Sequence, residues 1–346
     1  MTALVVAGPS GIAEHDGGPR HPEQPSRLVA VMEGVEALGP EHEVITPVFE
    51  EATMDELARV HHRDYLSRLA SFCAAGGGPI DADTYAQPDS WTAARRAAGA
   101  GLAALRALEQ RGDGIAFVPV RPPGHHATAE RAMGFCLVNN VAVAAASRTA
   151  LGQRVLIVDW DVHHGNGTQD IFWNDPDVLY VSTHQHPLYP GTGRPDEVGG
   201  PGAPGLTLNL PLPPGATGDV VRAALDQEAR ATIEGFAPDW VLVSCGFDAH
   251  RDDPLSELQL SSGDFAELAC VVREFAPRPG RLALFLEGGY QHAALRSSVE
   301  ATLGALLGHR GHKPPATSGG PGLAELRADR AERWRAIDAA QEAGSD

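Results

Sequence analysis

Three polar residues spaced two apart, Asp159, Asp161 and His163, stand at the end of the apolar run 155–159. If the chain stays extended past that run, their side chains leave on one face. Carboxylates and neutral imidazoles are good ligands for zinc and related divalent ions. A further carboxylate, Asp248, follows another apolar run in Cys245-Gly-Phe-Asp248. Three protein ligands with an open fourth position make a catalytic metal site, because water or substrate can take that place. Spacing alone leaves the metal open. One strand-end aspartate is more often a turn or cap residue, but the set as a whole argues against that reading.

Two other motifs carry chemistry. His125-His126 follows Arg121-Pro-Pro-Gly, so a proline-fixed turn after an apolar run presents a histidine doublet suited to acid–base work. A second doublet, His61-His62, lacks such a setting and reads as surface. Tyr290 follows Glu287-Gly-Gly, and glycines let backbone approach a ligand closely. A tyrosine there could donate a hydrogen bond to an oxyanion, although Gly-Gly-Tyr alone is a weak signal. Cys73, Cys136, Cys245 and Cys270 form no CxxC pair, and none stands beside a histidine base as a nucleophile would.

These residues need a scaffold. Apolar runs of strand length recur at 4–7, 115–120, 155–159, 178–182, 240–244 and 282–286, rich in Val, Ile and Leu with little polar alternation. Such runs are buried on both faces, as in a parallel sheet. Alanine-rich segments of helical length lie between them at 90–108, 140–150, 219–234 and 262–275. The alternation predicts an α/β chain: a single open, mostly parallel sheet flanked by helices. The polar motifs all follow the carboxyl ends of runs, where open parallel sheets bind ligands. Breaker-rich stretches fall at 199–205 and 314–322, and 323–341 could form a surface helix. The reading is one catalytic domain over 1–313 with a C-terminal appendage at 314–346.

The chain has 346 residues, 43% of them hydrophobic, which allows a large core. The formal net charge of −18 argues against broad nucleic-acid binding. It fits cationic substrates, or solubility alone. No apolar run reaches membrane-spanning length, and residues 1–16 lack the basic start of a secretory signal, so a cytoplasmic location is expected. The scattered cysteines agree with a reducing compartment.

Arg121-Pro-Pro-Gly-His125-His126, Met133-Gly-Phe135-Cys136-Leu-Val-Asn-Asn140, Asp159-Trp-Asp161-Val-His163-His164-Gly-Asn166-Gly-Thr168, Gly246-Phe-Asp248 and Glu287-Gly-Gly-Tyr290 together resemble the histone deacetylase and acetylpolyamine amidohydrolase superfamily. The form is closer to its class II and bacterial members. The resemblance runs to about residue 307 and takes in His21-Pro22-Glu23 and Arg27. It implies the arginase–deacetylase fold and a zinc ion held by Asp161, His163 and Asp248. Asp159 is then no zinc ligand but the partner of His125. His126 becomes the general base, His125 its electrostatic partner, and Tyr290 the group that polarises the acetyl carbonyl. Gly134 and Phe135 wall a substrate tunnel, with Tyr189 or Leu188 opposite and Leu255 at the rim. Arg27 lies near an inner channel for acetate. A structural potassium ion sits beside Asp159, Asp161, His163 and Ser182. The implied activity is hydrolysis of acetylated amines, acetyl-lysine in peptides or proteins first and acetylpolyamines as the alternative. Oligomeric state and acyl-chain length stay open.

The sequence departs from the family at three places. Asn166 stands where class I relatives carry an aspartate, Tyr189 stands where many have phenylalanine, and Asp83 is the candidate for a rim aspartate. Asp252 and Asp253, just before Leu255, read equally as cation-steering rim charges or as a solvated turn before Pro254. An arginase-like enzyme on the same fold would need two metals and further carboxylates. A silent acyl-lysine-binding protein could dispense with His126 and Tyr290. An acid–base enzyme without metal would survive chelation.

Overall fold

The computed structural model describes residues 2–8, 15–308 and 315–343. Among the described residues there are ten strands: β1 (Leu4–Val6), β2 (Val44–Ile45), β3 (Gly78–Pro79), β4 (Tyr85–Ala86), β5 (Ile115–Val118), β6 (Val155–Asp159), β7 (Val178–Gln185), β8 (Thr207–Leu212), β9 (Trp240–Cys245) and β10 (Leu282–Leu286). The helices are α1 (Ser26–Glu36), α2 (Met54–Leu57), α3 (Arg63–Ala74), α4 (Ser90–Arg111), α5 (Asn140–Thr149), α6 (Asn166–Ile171), α7 (Gly218–Ala223), α8 (Arg230–Phe236), α9 (Ser262–Phe275), α10 (His292–Leu307) and α11 (Leu323–Ala343). Eight strands form one sheet in the order β2-β1-β5-β10-β9-β6-β7-β8, and every pairing in it is parallel. This is the open parallel sheet expected from the apolar runs. The short β3–β4 pair is antiparallel and separate.

The central strands lack polar alternation because both faces are covered. Along β6, Leu156 and Val158 enter the core that includes α1, α9 and α10, whereas Val155 and Ile157 enter the core that includes α4 and α5. Helix α4 comes close to the sheet because its packed positions are small. A Cβ on Gly101 would lie 2.5 Å from the Phe285 ring of β10.

The expected helix over 219–234 divides into α7, a π-helical turn at Ala224–Ala229, and α8. The wide turn keeps Ala224, Leu225 and Ala229 buried and directs Glu228 to α11, where its carboxylate meets Arg330 and Arg333. Helix α11 packs beside the edge strand β8 and puts Leu326 into the core. The expected boundary between residues 313 and 314 lies outside the described residues.

Candidate active site at the carboxyl edge of the sheet

Strand β6 ends at Asp159, and the chain bends over 161–163 instead of staying extended. Short side chains cause the bend by bonding local backbone. Asp159 Oδ1 accepts from the Asp161 N–H at 3.2 Å, and Asp161 Oδ1 accepts from the His163 N–H at 2.9 Å. The bend separates the aspartates. Asp159 Oδ2 meets His125 Nδ1 at 3.0 Å and the Tyr180 hydroxyl at 3.1 Å. Asp161 and His163 turn instead toward Asp248, which arrives from the end of the adjacent strand β9.

In that cluster, one ligand atom from each of Asp161, His163 and Asp248 lies within 4.8 Å of the others. His163 Nδ1 is 3.1 Å from Asp161 Oδ1 and 3.2 Å from Asp248 Oδ2. Asp248 Oδ1 accepts from the Val162 N–H at 2.9 Å, but its Oδ2 is buried and makes no hydrogen bond. Burying two carboxylates side by side is costly unless a cation neutralises them. Burial and the charge of Asp161 accordingly raise the Asp248 pKa. A Cβ on Gly246 would overlap Asp161 Oδ2, and one on Gly288 would overlap Asp248 Oδ2. Both glycines leave room for the carboxylates. An orphaned carboxylate oxygen, a second buried carboxylate and an imidazole nitrogen form a donor set that fits a divalent cation such as zinc.

The histidine doublet is held from two sides. Glu287 Oε2 accepts from the N–H groups of Gly124 and His125 at 2.6 and 3.1 Å. Asn140, at the start of α5, donates to the Pro122 carbonyl at 3.0 Å. The two imidazoles lie 4.0 Å apart, centroid to centroid, yet titrate in opposite directions. Burial disfavours a charge on His125, but Asp159, Asp161 and Glu287 outweigh it and raise its pKa to about 10. Burial, with the charges of His125 and His163, holds His126 well below the usual imidazole value. His126 Nδ1 meets Asn166 Oδ1 at 2.8 Å.

Tyr290 follows the glycine pair after β10. The Gly288 N–H donates to Asp161 Oδ2 at 2.8 Å, and Arg27 Nε donates to the Gly289 carbonyl at 2.6 Å. The Arg27 guanidinium sits over the Tyr290 ring, 4.8 Å from its centroid. Burial pushes the phenol well above its ordinary pKa, against the pull of Arg27, so it remains a hydrogen-bond donor.

His126, His163 and Tyr290 open onto a cavity of about 210 Å³. Gly134 and Phe135 form part of its wall, Leu188 and Tyr189 both contribute, and Leu255 and Asp83 are in the lining. Tyr189 stands edge-on to His126 at 5.1 Å. Phe135 has φ of +66°, and its N–H is held by Thr84 Oγ1 at 3.2 Å. At Gly134 a Cβ would collide with the His126 ring, so the wall loop requires glycine there. Ser182 lies opposite Asp159 in the β6–β7 register, and its hydroxyl pairs with His184 Nδ1 at 2.9 Å.

Several residues differ from expectation or escaped it. His61 is buried rather than a surface residue: Nδ1 meets the Thr128 carbonyl at 2.9 Å, and Nε2 accepts from the Asn139 N–H at 3.0 Å. It braces the loop behind the doublet, a role with no signal in local sequence. His62, its neighbour, is exposed. Glu23 is fully buried between Arg27 and Arg121. Burial opposes its charge, but the two arginines bring its pKa down to about 2. Asp253 is neither a rim charge nor a solvated turn residue, since it is 6% exposed and accepts backbone hydrogen bonds.

The histone deacetylase domain family model matches residues 21–306. Histone deacetylase 10, chloroplastic, of Oryza sativa subsp. japonica is 41% identical over 316 residues, covering 83% of this chain and 70% of that protein. A probable deacetylase of Methanothermobacter thermautotrophicus is 38% identical over 338 residues, covering 96% of this chain and 98% of that one. A histone deacetylase-like amidohydrolase of Pseudomonas aeruginosa is 39% identical over 264 residues, covering 75% and 70%. Among solved structures, the HDA15 HD domain superposes with a TM-score of 0.86 at 33% identity, covering 99% of each chain. With the sheet order and the site geometry, these matches establish that the chain belongs to the histone deacetylase family.

Proposed function

We propose that this hydrolase of the deacetylase family is zinc-dependent and removes acetyl groups from lysine side chains in peptides or proteins. The observation that carries the reading is a neutral histidine, His126, in the same narrow cavity as His163 and Tyr290. Zinc held by Asp161, His163 and Asp248 would supply Lewis acidity, acidifying water and polarising the acetyl carbonyl. His126 takes a proton from the attacking water and passes one to the departing amine, so water and amide become acetate and free amine. The Tyr290 hydroxyl donates to the oxyanion. His125, held by Asp159, is the fixed positive neighbour that keeps His126 neutral until the water's proton arrives. Gly134, Phe135, Tyr189 and Leu255 surround a linear alkyl chain. A potassium ion beside Asp159, Asp161, His163 and Ser182 belongs to the same proposal, as does a cytoplasmic location, supported by four unpaired cysteines.

The narrow cavity with an acidic residue, Asp83, in its lining also admits an acetylpolyamine. The test is kcat/KM for an acetyl-lysine peptide against an acetylpolyamine, with and without a chelator. A polyamine preference above about tenfold, or 1.4 kcal/mol, overturns the substrate choice. Turnover that survives chelation overturns the metal.

A further inference from the structure

Tyr290 has to hold its hydroxyl in one place, yet the residue before it, Gly289, has φ of +116° and no side chain to pack. The segment is pinned on its β10 side by the Gly288 N–H on Asp161 and by Arg27 on the Gly289 carbonyl. Beyond the tyrosine, one carboxylate does the pinning. Asp253 Oδ2 accepts from the Tyr290 N–H at 2.7 Å and the Gln291 N–H at 3.3 Å. Its other oxygen accepts from the Leu255 N–H at 3.0 Å. The Asp253 N–H in turn donates to the His250 carbonyl at 2.8 Å. The Tyr290 and Gln291 N–H groups precede the first turn of α10, where a negative charge is also favoured by the helix dipole.

We infer that Asp253 is a positioning residue for Tyr290, tying the rim turn that carries Leu255 to the backbone from which the tyrosine hydroxyl is aimed. The inference rests on the reading of Tyr290 as the oxyanion donor. Two oxygens accept three backbone donors from two separate loops, so one side chain sets the spacing between cavity rim and hydroxyl. An asparagine there presents one acceptor oxygen, and its NH2 group would face an N–H. The loop must then relax, and a misplacement near 1 Å at a reacting group can cost about 10²-fold in rate. Asp252, one residue earlier, is the natural control: its side chain is 63% exposed and faces His250.

The test is a double-mutant cycle on zinc-loaded enzyme with an acetyl-lysine peptide, using Asp253→Asn, Tyr290→Phe and the pair, with Asp252→Asn alongside. Asp253→Asn should lower kcat about tenfold or more while KM stays within about twofold and zinc content is unchanged. In the Tyr290→Phe background the same change should cost less than about twofold, because the group it positions is gone. Asp253→Glu, which keeps both acceptor oxygens, should fold and recover part of kcat; it carries the test if the asparagine variant does not fold. The same fold-loss in both backgrounds, or an equal loss in Asp252→Asn, overturns the positioning role while leaving the oxyanion role standing. Full activity in Tyr290→Phe alone would remove the oxyanion role itself, and the inference with it.

Discussion

Asn166 Oδ1 lies 2.8 Å from His126 Nδ1, while the Asn166 amide nitrogen faces Met133 Sδ at 3.4 Å. The amide oxygen therefore accepts from Nδ1–H, and the lone pair of His126 is on Nε2. Because the partner is neutral, it favours imidazolium through this hydrogen bond alone. An aspartate in its place would add a full negative charge. We expect Asn166→Asp to raise the His126 pKa and move the acid limb of the kcat/KM profile to higher pH by about one unit or more. The measurement is the pH–rate profile from pH 5 to 9. An unmoved limb would show that His126 is not the group whose protonation ends activity.

Tyr290→Phe should keep the fold and the metal and lose about 10²–10³ in kcat. The ring contacts with Arg27 and Phe135 need no hydroxyl, so stability should barely change. Because the lost bond strengthens in the transition state, kcat and kcat/KM should fall together. A rise in KM alone would make Tyr290 a binding residue.

One catalytic metal per chain is expected. Asp248→Ala removes a candidate ligand and the acceptor of the Val162 N–H, so it should lose both metal and turnover. Chelation should abolish activity and zinc restore it. Metal analysis decides the stoichiometry: two tightly bound catalytic ions per chain would sink the one-metal model.

His61 links the protein to acid sensitivity. Burial pushes its pKa down to about 4, so the folded state resists protonating it. A depressed folded pKa gives stability that is fully present above the unfolded value near 6.5 and is lost as pH falls toward about 4. The loss is on the order of 3 kcal/mol at most. His15 and His184, pushed down to about 4 and 3, act in the same direction. His61→Ala should cost about 1–3 kcal/mol at pH 7 by stranding the Asn139 N–H and the Thr128 carbonyl. It should also flatten the decline in stability between pH 7 and 5. Denaturant unfolding at both values checks this, and an unchanged decline would rule His61 out as a contributor.

The runs of Val, Ile and Leu made β1, β5, β6, β7, β9 and β10 legible, since strands covered on both faces carry few polar residues before their carboxyl ends. Strand β8 was not legible: Thr207-Leu-Asn-Leu-Pro-Leu212 alternates and contains proline, as an edge strand can. Helices α1, α3 and α10 went unread: α1 and α3 lack the alanine-rich signature, whereas α10, with four alanines, carried it and was missed. At the site, His125, His126, Asp161, His163, Asp248 and Tyr290 follow strand ends and Asp159 is the last residue of β6, so their positions could be read in sequence, whereas Ser182 lies inside β7. The roles of Glu23, His61 and Asp253 could not be read in this way. Each depends on a partner tens of residues away, Arg121, Asn139 and Tyr290 respectively, and such pairings exist only once the chain has folded.

The sheet order bears on how the polypeptide is made. Strands β5 and β6 are adjacent in chain order among the main-sheet strands, but β10 and β9 lie between them. A ribosome therefore releases β1, β5, β6, β7 and β8 before the two strands that join the halves exist. Until residues 240–286 emerge, β5 and β6 each carry an open, apolar edge able to recruit strands from other chains. A product that stops short of residue 240 holds Asp161 and His163 on one half and the histidine doublet on the other, with neither β9 nor β10 to join them. Truncated products should then aggregate rather than yield a weakened enzyme, and a cell making this protein has reason to shield the nascent chain until its last central strand is in place.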